Sequence, residues 1–487
     1  MKGIFLNIDI NTVTFPFLQK VCESPRLTEE DLYPFIDQYA NTEITDISLC
    51  IFCQISMTPS KQWSDVLDSY HRTEENGIAV DFKPILAHYH KLYEQFKIDP
   101  HEVWIRRCRE KGLTSYLSVR MNDCHCPDDK AVWIRGKEFY EADEKGWKLG
   151  EAYGYQRHCY DYSEEEFRRR MLSYIEEQIM RYDADGLELD FSREWYCFRD
   201  PDTDMSRATM TGFVREVSGI LRRAEEKWKH PLRLHLRVMR DIQQNRALGF
   251  DLHAMAKEGL LDSISVAPRW ASNDSDMPIE SFKHAYPSLP VYAGITDLTL
   301  LTPTKADVAM GYAAAYLARG ADKIYLYNFF SDPYSPSPEY QRLYRTCGSL
   351  KTLVGEARRI VVTLQDMTAP SAPRWSPLPE RAQDFAYIIP TGPIRCDEQV
   401  SFLLGFDREA EEEEVTLTVN GKRGCFLEKT EEGKAYAEGR ARLMGTEGGK
   451  AFYLFGLSEG LSTEKELELT LHAKSDLMLS HIEVIVK

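Results

Sequence analysis

The chain has 487 residues, of which 43% are hydrophobic and 28% are charged, and its formal net charge at pH 7 is −17. This composition is that of an ordinary globular protein too long for one compact core, so it predicts a large domain and a smaller one. The negative charge argues against a nucleic acid or an anionic membrane as partner, and no apolar run approaches the roughly 20 residues of a membrane helix.

The N-terminal segment and the cysteines indicate a reducing compartment. The first apolar run is interrupted at Asn7 and Asp9, which is unlike a secretory signal. The 11 cysteines are an odd number without a repeating spacing, which predicts free thiols. We therefore expect a cytoplasmic protein.

Eight strand-like segments alternate with helical patterns in the first part of the chain. One helix is predicted to begin after Ser163 as N-cap, and another to end at Gly320. Strand and helix repeated eight times predict an α/β fold, a (β/α)8 TIM barrel over residues 1–365, with long inserts after strands 2 and 3. The predicted strands are 3–9, 44–52, 115–121, 185–191, 232–239, 263–268, 291–296 and 323–330.

The pattern changes near residue 366. A proline-rich stretch, "TAPSAPRWSPLPE" (368–380), is followed by short segments of alternating hydrophobicity. Among them, "VNGK" (419–422) is a hairpin signal. These features predict an antiparallel β-sandwich domain over 366–487.

Polar residues close the first and third predicted strands, and in TIM barrels the reactive groups lie at the C-terminal strand ends. Alternation directs Asp9 and Arg120 toward the barrel interior, and Asn122, Asp123 and His125 follow the third strand. An aspartate two residues before a histidine can orient the imidazole and raise its pKa, as a general acid requires. The alternatives are a salt bridge or helix cap for Asp9 and a hydrogen-bonded turn for the loop.

The fourth strand directs Glu188 and Asp190 inward, and Arg193 follows its end. Two carboxylates and an arginine at one strand end suit a sugar-binding site. The alternative is that both carboxylates only neutralise interior arginines such as Arg120 and Arg237, because buried charges require partners.

The eighth strand ends at Asn328, whose amide could hydrogen-bond a ligand, although its phase matches the outward-facing Ile324 and Leu326. Aromatic rings near the strand ends, including Tyr327, could stack on a sugar or shield the core. The cysteines of "CHC" and "CIFC" lack zinc spacing, and there is no phosphate-binding glycine loop and no nucleophile elbow. The sequence therefore predicts neither a metal nor a cofactor.

The chain resembles the inverting exo-sialidases of glycoside hydrolase family 156. The resemblance rests on "RMNDCH" (120–125), on "DGLELDFSRE" (185–194), on the aspartate that closes strand one and on the asparagine that closes strand eight. It extends to the order of a barrel followed by a β-sandwich. The family's chemistry is a single displacement that releases terminal sialic acid, and a homodimer is compatible with the family.

The resemblance implies roles for individual residues. His125 would protonate the leaving oxygen, Asp9 would activate water, and Asp123 would support His125. A sialoside carries a carboxylate on its anomeric carbon, so attack by neutral water avoids the repulsion that an anionic nucleophile would meet. Arginines would offset the acidic field of the chain for such a sugar. The predicted substrate-binding residues are Arg120, Asn122, Glu188, Asp190, Arg193 and Asn328.

Three other functions remain open at this point. The first is a glycosidase that uses two carboxylates from Glu188, Asp190 and Glu194 on a neutral or uronic sugar. The second is a metal-dependent hydrolase with Asp9, Asp123 and His125 as ligands. The third is a sugar-binding protein without catalysis.

Overall fold

The structure is a computed structural model. His125 lies outside the residues it describes. No helix in the described part of the chain combines the length and apolarity needed to cross a membrane. The structure describes residues 2–9, 15–75, 83–124, 134–268, 274–297, 305–362, 376–432, 434, 449–457 and 460–487.

Eight parallel strands form a closed barrel, which confirms the predicted α/β (β/α)8 fold. Each strand pairs with its successor, and the first pairs with both the second and the last, which closes the ring. All eight predicted strands are present, although the last is shorter than predicted. The strands are β1 (Ile4–Ile8), β2 (Ile44–Cys53), β3 (Ile55–Ser56, a short antiparallel addition to β2), β4 (Thr114–Arg120), β5 (Gly186–Asp190), β6 (Arg233–Met239), β7 (Ser263–Ala267), β8 (Val291–Thr296) and β9 (Lys323–Tyr327).

Helices pack against the outward-facing side chains of the barrel strands. Leu187 and Leu189 of β5 belong to the same apolar cluster as Ile175 and Val217, which lie on helices. The helices are α1 (Phe15–Cys22), α2 (Pro34–Asp37), α3 (Val66–Glu75), α4 (Lys83–His90), α5 (Pro100–Glu110), α6 (Lys137–Glu144), α7 (Glu165–Arg181), α8 (Asp204–Trp228), α9 (Ile242–Ala247), α10 (Leu252–Lys257), α11 (Ile279–Ala285), α12 (Ala306–Ala318), α13 (Pro338–Thr346) and α14 (Leu350–Leu353).

One of the two predicted helix caps is confirmed and the other is wrong. Gly320 follows α12 with φ +96°, and the next N–H, from Ala321, bonds the carbonyl of Tyr316 at 3.0 Å. This is the glycine-terminated cap that the sequence predicted. At α7, however, the N-cap is Glu164. The reason is that the N–H of Ser163 is held by Asp161 at 2.9 Å, in a turn that precedes the helix.

The C-terminal domain is a nine-stranded antiparallel sheet whose two halves share one apolar cluster, as a sandwich does. Its "VNGK" hairpin is confirmed by the positive φ angles of Asn420 (47°) and Gly421 (77°). The strands are β10 (Arg358–Val362), β11 (Glu380–Arg381), β12 (Phe385–Pro390), β13 (Val400–Phe406), β14 (Val415–Val419), β15 (Lys422–Thr430), β16 (Ala451–Leu457), β17 (Glu466–Ala473) and β18 (Met478–Val486).

Strand β10 joins the two domains and lies before the predicted boundary at residue 365. It pairs with β18 and also packs against α12 of the barrel. The hydroxyl of Tyr312 donates to the carbonyl of Val361 at 2.6 Å. A Cβ atom at Gly311 would lie 1.9 Å from the carbonyl oxygen of Arg359, so only glycine permits this approach.

Aromatic side chains fill part of the barrel interior. Phe5, Tyr116, Tyr292, Tyr325 and Tyr327 form one buried cluster. Among the described residues this filling makes the barrel interior a packed core, so we expect a ligand site at the strand ends.

Candidate active site

A hydrogen-bonded group inside the barrel surrounds Glu188. Asn7 donates to its carboxylate at 2.7 Å, Ser48 at 2.5 Å and Tyr325 at 2.6 Å. Asn7 also donates to Ser118 at 3.2 Å, and these contacts confirm the predicted inward orientation of Glu188. Burial raises the pKa of Glu188, and the neighbouring charge of Asp190 adds to this. The bonds of Glu188 are thus internal to the barrel.

Asp190 forms a buried ion pair and shapes the chain that follows β5. Its two carboxylate oxygens lie 3.0 and 3.1 Å from Nη1 of Arg237. One oxygen also accepts the backbone N–H groups of Ser192 and Arg193, at 2.9 and 3.0 Å. Asp190 thus neutralises an interior arginine, which is the alternative to a sugar-binding role that the sequence left open. The same bonds fix the turn that places Arg193 at the barrel mouth.

Four predicted site residues meet at the C-terminal mouth of the barrel. Nη2 of Arg120 lies 3.0 Å from Asp9, and its Nη1 lies 3.1 Å from Asp123. Nε of Arg193 lies 3.7 Å from the same oxygen of Asp123. All four side chains are buried, so these charges interact in a medium that screens them weakly.

The carboxylates determine the electrostatics of Arg120. Burial alone would lower its pKa, but neighbouring acidic groups, with Asp9 foremost, raise the pKa well above its ordinary value. At the mouth, two guanidinium groups therefore pair with two carboxylates. The described residues there carry both positive and negative charge. Each terminal nitrogen of Arg120 carries two N–H groups, so a ligand oxygen could be bound beside either aspartate.

The predicted general acid follows directly on this cluster. Asp123 and Cys124 are the last described residues before His125. The thiol of Cys124 is buried and donates to the carbonyl of Tyr155 at 3.4 Å. The role of His125 stays a prediction.

Asn122 connects three loops at the mouth. Its side-chain oxygen accepts the N–H of Tyr160 at 2.9 Å, while its nitrogen donates to the carbonyls of Tyr160 and Tyr196, at 3.1 and 2.8 Å. These backbone bonds occupy the amide and hold the insert against the chain beyond β5. They explain the burial of Asn122 without a substrate.

Asn328 has a buried amide that the described residues do not satisfy. The residue is 5% exposed, and neither Oδ1 nor Nδ2 has a hydrogen-bond partner among the described residues. Its φ of +63° is a left-handed conformation, which asparagine tolerates better than most residues. Alternation with Ile324 and Leu326 had suggested that Asn328 points outward. This does not apply, because β9 ends before Asn328.

Tyr327 lies at the end of β9, and the sequence indicated it only as a possible stacking ring. Its hydroxyl likewise has no hydrogen-bond partner within the described ranges, and Arg237 lies over its ring, 4.0 Å from the centroid. Burial raises its pKa to about 12, against the opposing effect of Arg120 and other cations. Tyr327 lies two residues after Tyr325 on the same strand, so both side chains face the barrel interior, and this spacing was the available sequence signal.

No family model and no curated protein matches the chain. Solved structures similar to it include a cycloisomaltooligosaccharide glucanotransferase from Paenibacillus sp. complexed with cycloisomaltoheptaose, with 9% identity over 94% of this chain and 56% of that chain and a TM-score of 0.36. A glycoside hydrolase family 18 N-acetylglucosaminidase from Paenibacillus barengoltzii has 16% identity over 60% and 66% of the two chains and a TM-score of 0.29. The PgaB (BpsB) glycoside hydrolase domain from Bordetella bronchiseptica has 10% identity over 72% and 99%, with a TM-score of 0.43.

The chain thus spans 56% and 66% of the length of the first two of these proteins. At such low identities and TM-scores, the similarities carry no argument about activity. The barrel assignment rests on the strand order itself.

Proposed function

We propose that this protein is a glycoside hydrolase that releases a terminal anionic sugar, with α-sialosides as its substrate class. The observation that carries the proposal is the cluster of Asp9, Arg120 and Asp123 at the barrel mouth, together with the end of β9, where the amide of Asn328 has no partner among the described residues. Buried polar atoms without partners cost free energy, which a bound ligand would recover.

In the proposed reaction, a water molecule attacks the anomeric carbon in a single displacement. Asp9 accepts the proton of this water, and His125 gives its proton to the leaving oxygen as the glycosidic bond breaks. Arg120 holds the carboxylate of Asp9 in a fixed orientation at 3.0 Å. The products are the free sugar with inverted anomeric configuration and the aglycone alcohol.

Arg193, Asn328 and Tyr327 are proposed as substrate-binding groups. A guanidinium can donate two parallel hydrogen bonds to the sugar carboxylate, and charged hydrogen bonds of this kind contribute about 1.5–3 kcal/mol each. Asn328 supplies both a donor and an acceptor, and the Tyr327 hydroxyl can do the same. This combination suits a sugar with a carboxylate and several hydroxyl groups.

Two of the alternatives receive less support. Glu188 and Asp190 are held by internal hydrogen bonds, which disfavours them as an acid and base pair on a substrate. The guanidinium of Arg120 lies between the carboxylates of Asp9 and Asp123. This positive charge would repel a divalent cation placed on the same two carboxylates.

The proposal is tested with 4-methylumbelliferyl α-sialoside and a panel of neutral and uronic aryl glycosides. We expect turnover of the sialoside, and loss of that turnover in His125→Ala with the thermal transition preserved. Turnover of a neutral or uronic glycoside in place of the sialoside would contradict the assignment. Binding of sialic acid without turnover of any panel member would favour a sugar-binding protein instead.

A further inference from the structure

A cluster of metal-binding side chains lies away from the barrel mouth, in the insert that follows β2. His71 lies on α3, and His90 is the last residue of α4. Glu94 belongs to a π-helical turn, Lys91–Phe96, which continues α4. Helices α3 and α4 pack against each other, so the three residues approach one another from two segments.

The three side chains converge on the carboxylate of Glu94. Nε2 of His71 lies 3.2 Å from one carboxylate oxygen, and Nε2 of His90 lies 3.0 Å from the other. One potential ligand atom from each residue lies within 4.8 Å of the other two. No other group of three such residues this close occurs in the described part of the chain.

We propose that His71, His90 and Glu94 form a binding site for one divalent transition-metal ion, with zinc as the preferred occupant. Zinc binds imidazole nitrogen and carboxylate oxygen at about 2.0–2.2 Å, which places tetrahedral ligand atoms about 3.3 Å apart. His71 and His90 lie 3.2 and 3.0 Å from different oxygens of Glu94, close to this spacing, and one ligand atom from each of the three residues lies within 4.8 Å of the others. Two neutral imidazoles and one carboxylate are a ligand set that zinc commonly takes.

The surroundings orient these ligands before any ion binds. Tyr70 stacks on the His90 ring with centroids 4.3 Å apart, which limits rotation of that ring. The π-helical turn ends at Lys97, whose φ is +57°, so the backbone that carries Glu94 has a defined end.

The site is open to solvent on one side. The side chains of His71 and Glu94 are 48% and 39% exposed, which gives an ion access and leaves room for water as fourth ligand. A bound ion would join α3 to the end of α4 and so restrain the insert after β2. This inference does not depend on the proposed glycosidase activity, because none of its residues belongs to the mouth cluster.

The test uses the full-length chain, freed of metal with a chelator and then dialysed. Titration with Zn²⁺ in a calorimeter gives the stoichiometry, and titration with Co²⁺ reports the ligand type through its visible absorption. We expect one ion per chain, cobalt bands without a thiolate charge-transfer band, and a higher Tm with Zn²⁺. In His71→Ala and in the more conservative Glu94→Gln, we expect affinity to fall by about tenfold or more and the Tm increase to disappear.

His472→Ala is the matched control. His472 is also an exposed histidine beside a carboxylate, Asp384, at 3.3 Å, and it belongs to no three-residue group among the described residues. This variant should bind Zn²⁺ like the wild type. The proposal is overturned if the wild type binds no ion, if thiolate bands appear, or if both site variants with intact circular dichroism bind as tightly as the wild type.

Discussion

The guanidinium of Arg120 and the carboxylate of Asp9 form an ion pair of 3.0 Å across the barrel mouth. Their strands, β4 and β1, are not neighbours, because β2 lies between them. Both side chains are buried, and Asp123 binds the second terminal nitrogen of Arg120. The pair therefore links the ends of two non-adjacent strands through one cation, and its geometry determines where Asp9 can act.

Replacing Asp9 tests its role as the base. In Asp9→Asn the side chain keeps its size but can no longer accept a proton from water. We expect kcat on an α-sialoside to fall by about 10²- to 10⁴-fold, the usual contribution of general base catalysis. Activity within threefold of the wild type would assign the base to another residue.

Asp46→Asn is the control for that variant. Asp46 is also a fully buried aspartate in an ion pair, with Lys323, but it lies near the N-terminal ends of β2 and β9. Its replacement removes a buried charge without touching the mouth. We expect a lower free energy of unfolding in Asp46→Asn and a kcat close to that of the wild type.

Removing Arg120 should destabilise the fold as well as the site. Arg120→Met leaves the carboxylates of Asp9 and Asp123 without their shared cation. Breaking a buried ion pair from one side costs about 3–5 kcal/mol, and urea unfolding measures this loss. Adding Asp123→Asn should recover part of it, because one unpaired charge is then gone. If the double variant were less stable than Arg120→Met by the full cost of Asp123→Asn alone, the two side chains would not be coupled.

Asn328 should contribute to substrate binding and little to stability. Asn328→Gly keeps the left-handed conformation and removes an amide that has no partner in the described structure. We expect the free energy of unfolding to change by less than about 1 kcal/mol. We expect kcat/KM to fall roughly tenfold to hundredfold, as the loss of one or two ligand hydrogen bonds predicts.

Asn245→Ala provides the contrast. Asn245 is equally buried, but its amide bonds the backbone of Met239 at 3.0 and 2.9 Å and that of Asp241 at 2.7 Å. Its loss should lower stability by about 1–3 kcal/mol and leave kcat/KM unchanged. The opposite pattern in the two asparagine variants would remove the argument for Asn328 as a ligand.

Stability should depend on pH through His235. Its two ring nitrogens bond the hydroxyls of Ser263 and Ser265 at 2.7 and 2.8 Å, and burial lowers its pKa to about 3. The unfolded chain takes up a proton near pH 6.5 and the folded chain does not, so stability is present above pH 6.5 and falls below it. At pH 5 we expect a loss of about 2 kcal/mol from this residue.

The measurement is urea unfolding between pH 5 and 7 for the wild type and His235→Gln. The variant should lose less stability on acidification, by about one proton's contribution. His101, which is also buried with a pKa lowered to about 3, remains in both proteins and contributes to the residual slope. Equal slopes in the two proteins would mean that His235 is protonated in the folded state.

The barrel was predictable because period-two alternation is a local property of each strand. Glu188 was assigned to the interior from alternation alone, and there it accepts a hydrogen bond from Asn7. The start of the second sheet was missed, because β10 is a five-residue strand, RRIVV, that follows the last barrel helices after a short connection. Only its pairing with β18, far along the chain, identifies it as part of the second domain.

The position of Asp9, Arg120 and Asp123 at one end of the barrel was predictable, but their connections were less so. Alternation indicated that Asp9 and Arg120 point inward, but it could not predict that they pair across β2. Nor could it predict that Asn122 bonds backbone from two other loops, since these contacts depend on how the inserts fold back. The left-handed turn at Asn328 changes side-chain direction, and alternation does not anticipate such a turn.

The most direct test of the proposed mechanism is proton NMR of the first product formed from an α-sialoside, recorded before mutarotation. Inverting attack by water, activated at Asp9, predicts that β-configured sialic acid appears first and the α-anomer only later. Initial release of the α-anomer would show retention of configuration and would contradict a single displacement with Asp9 as base.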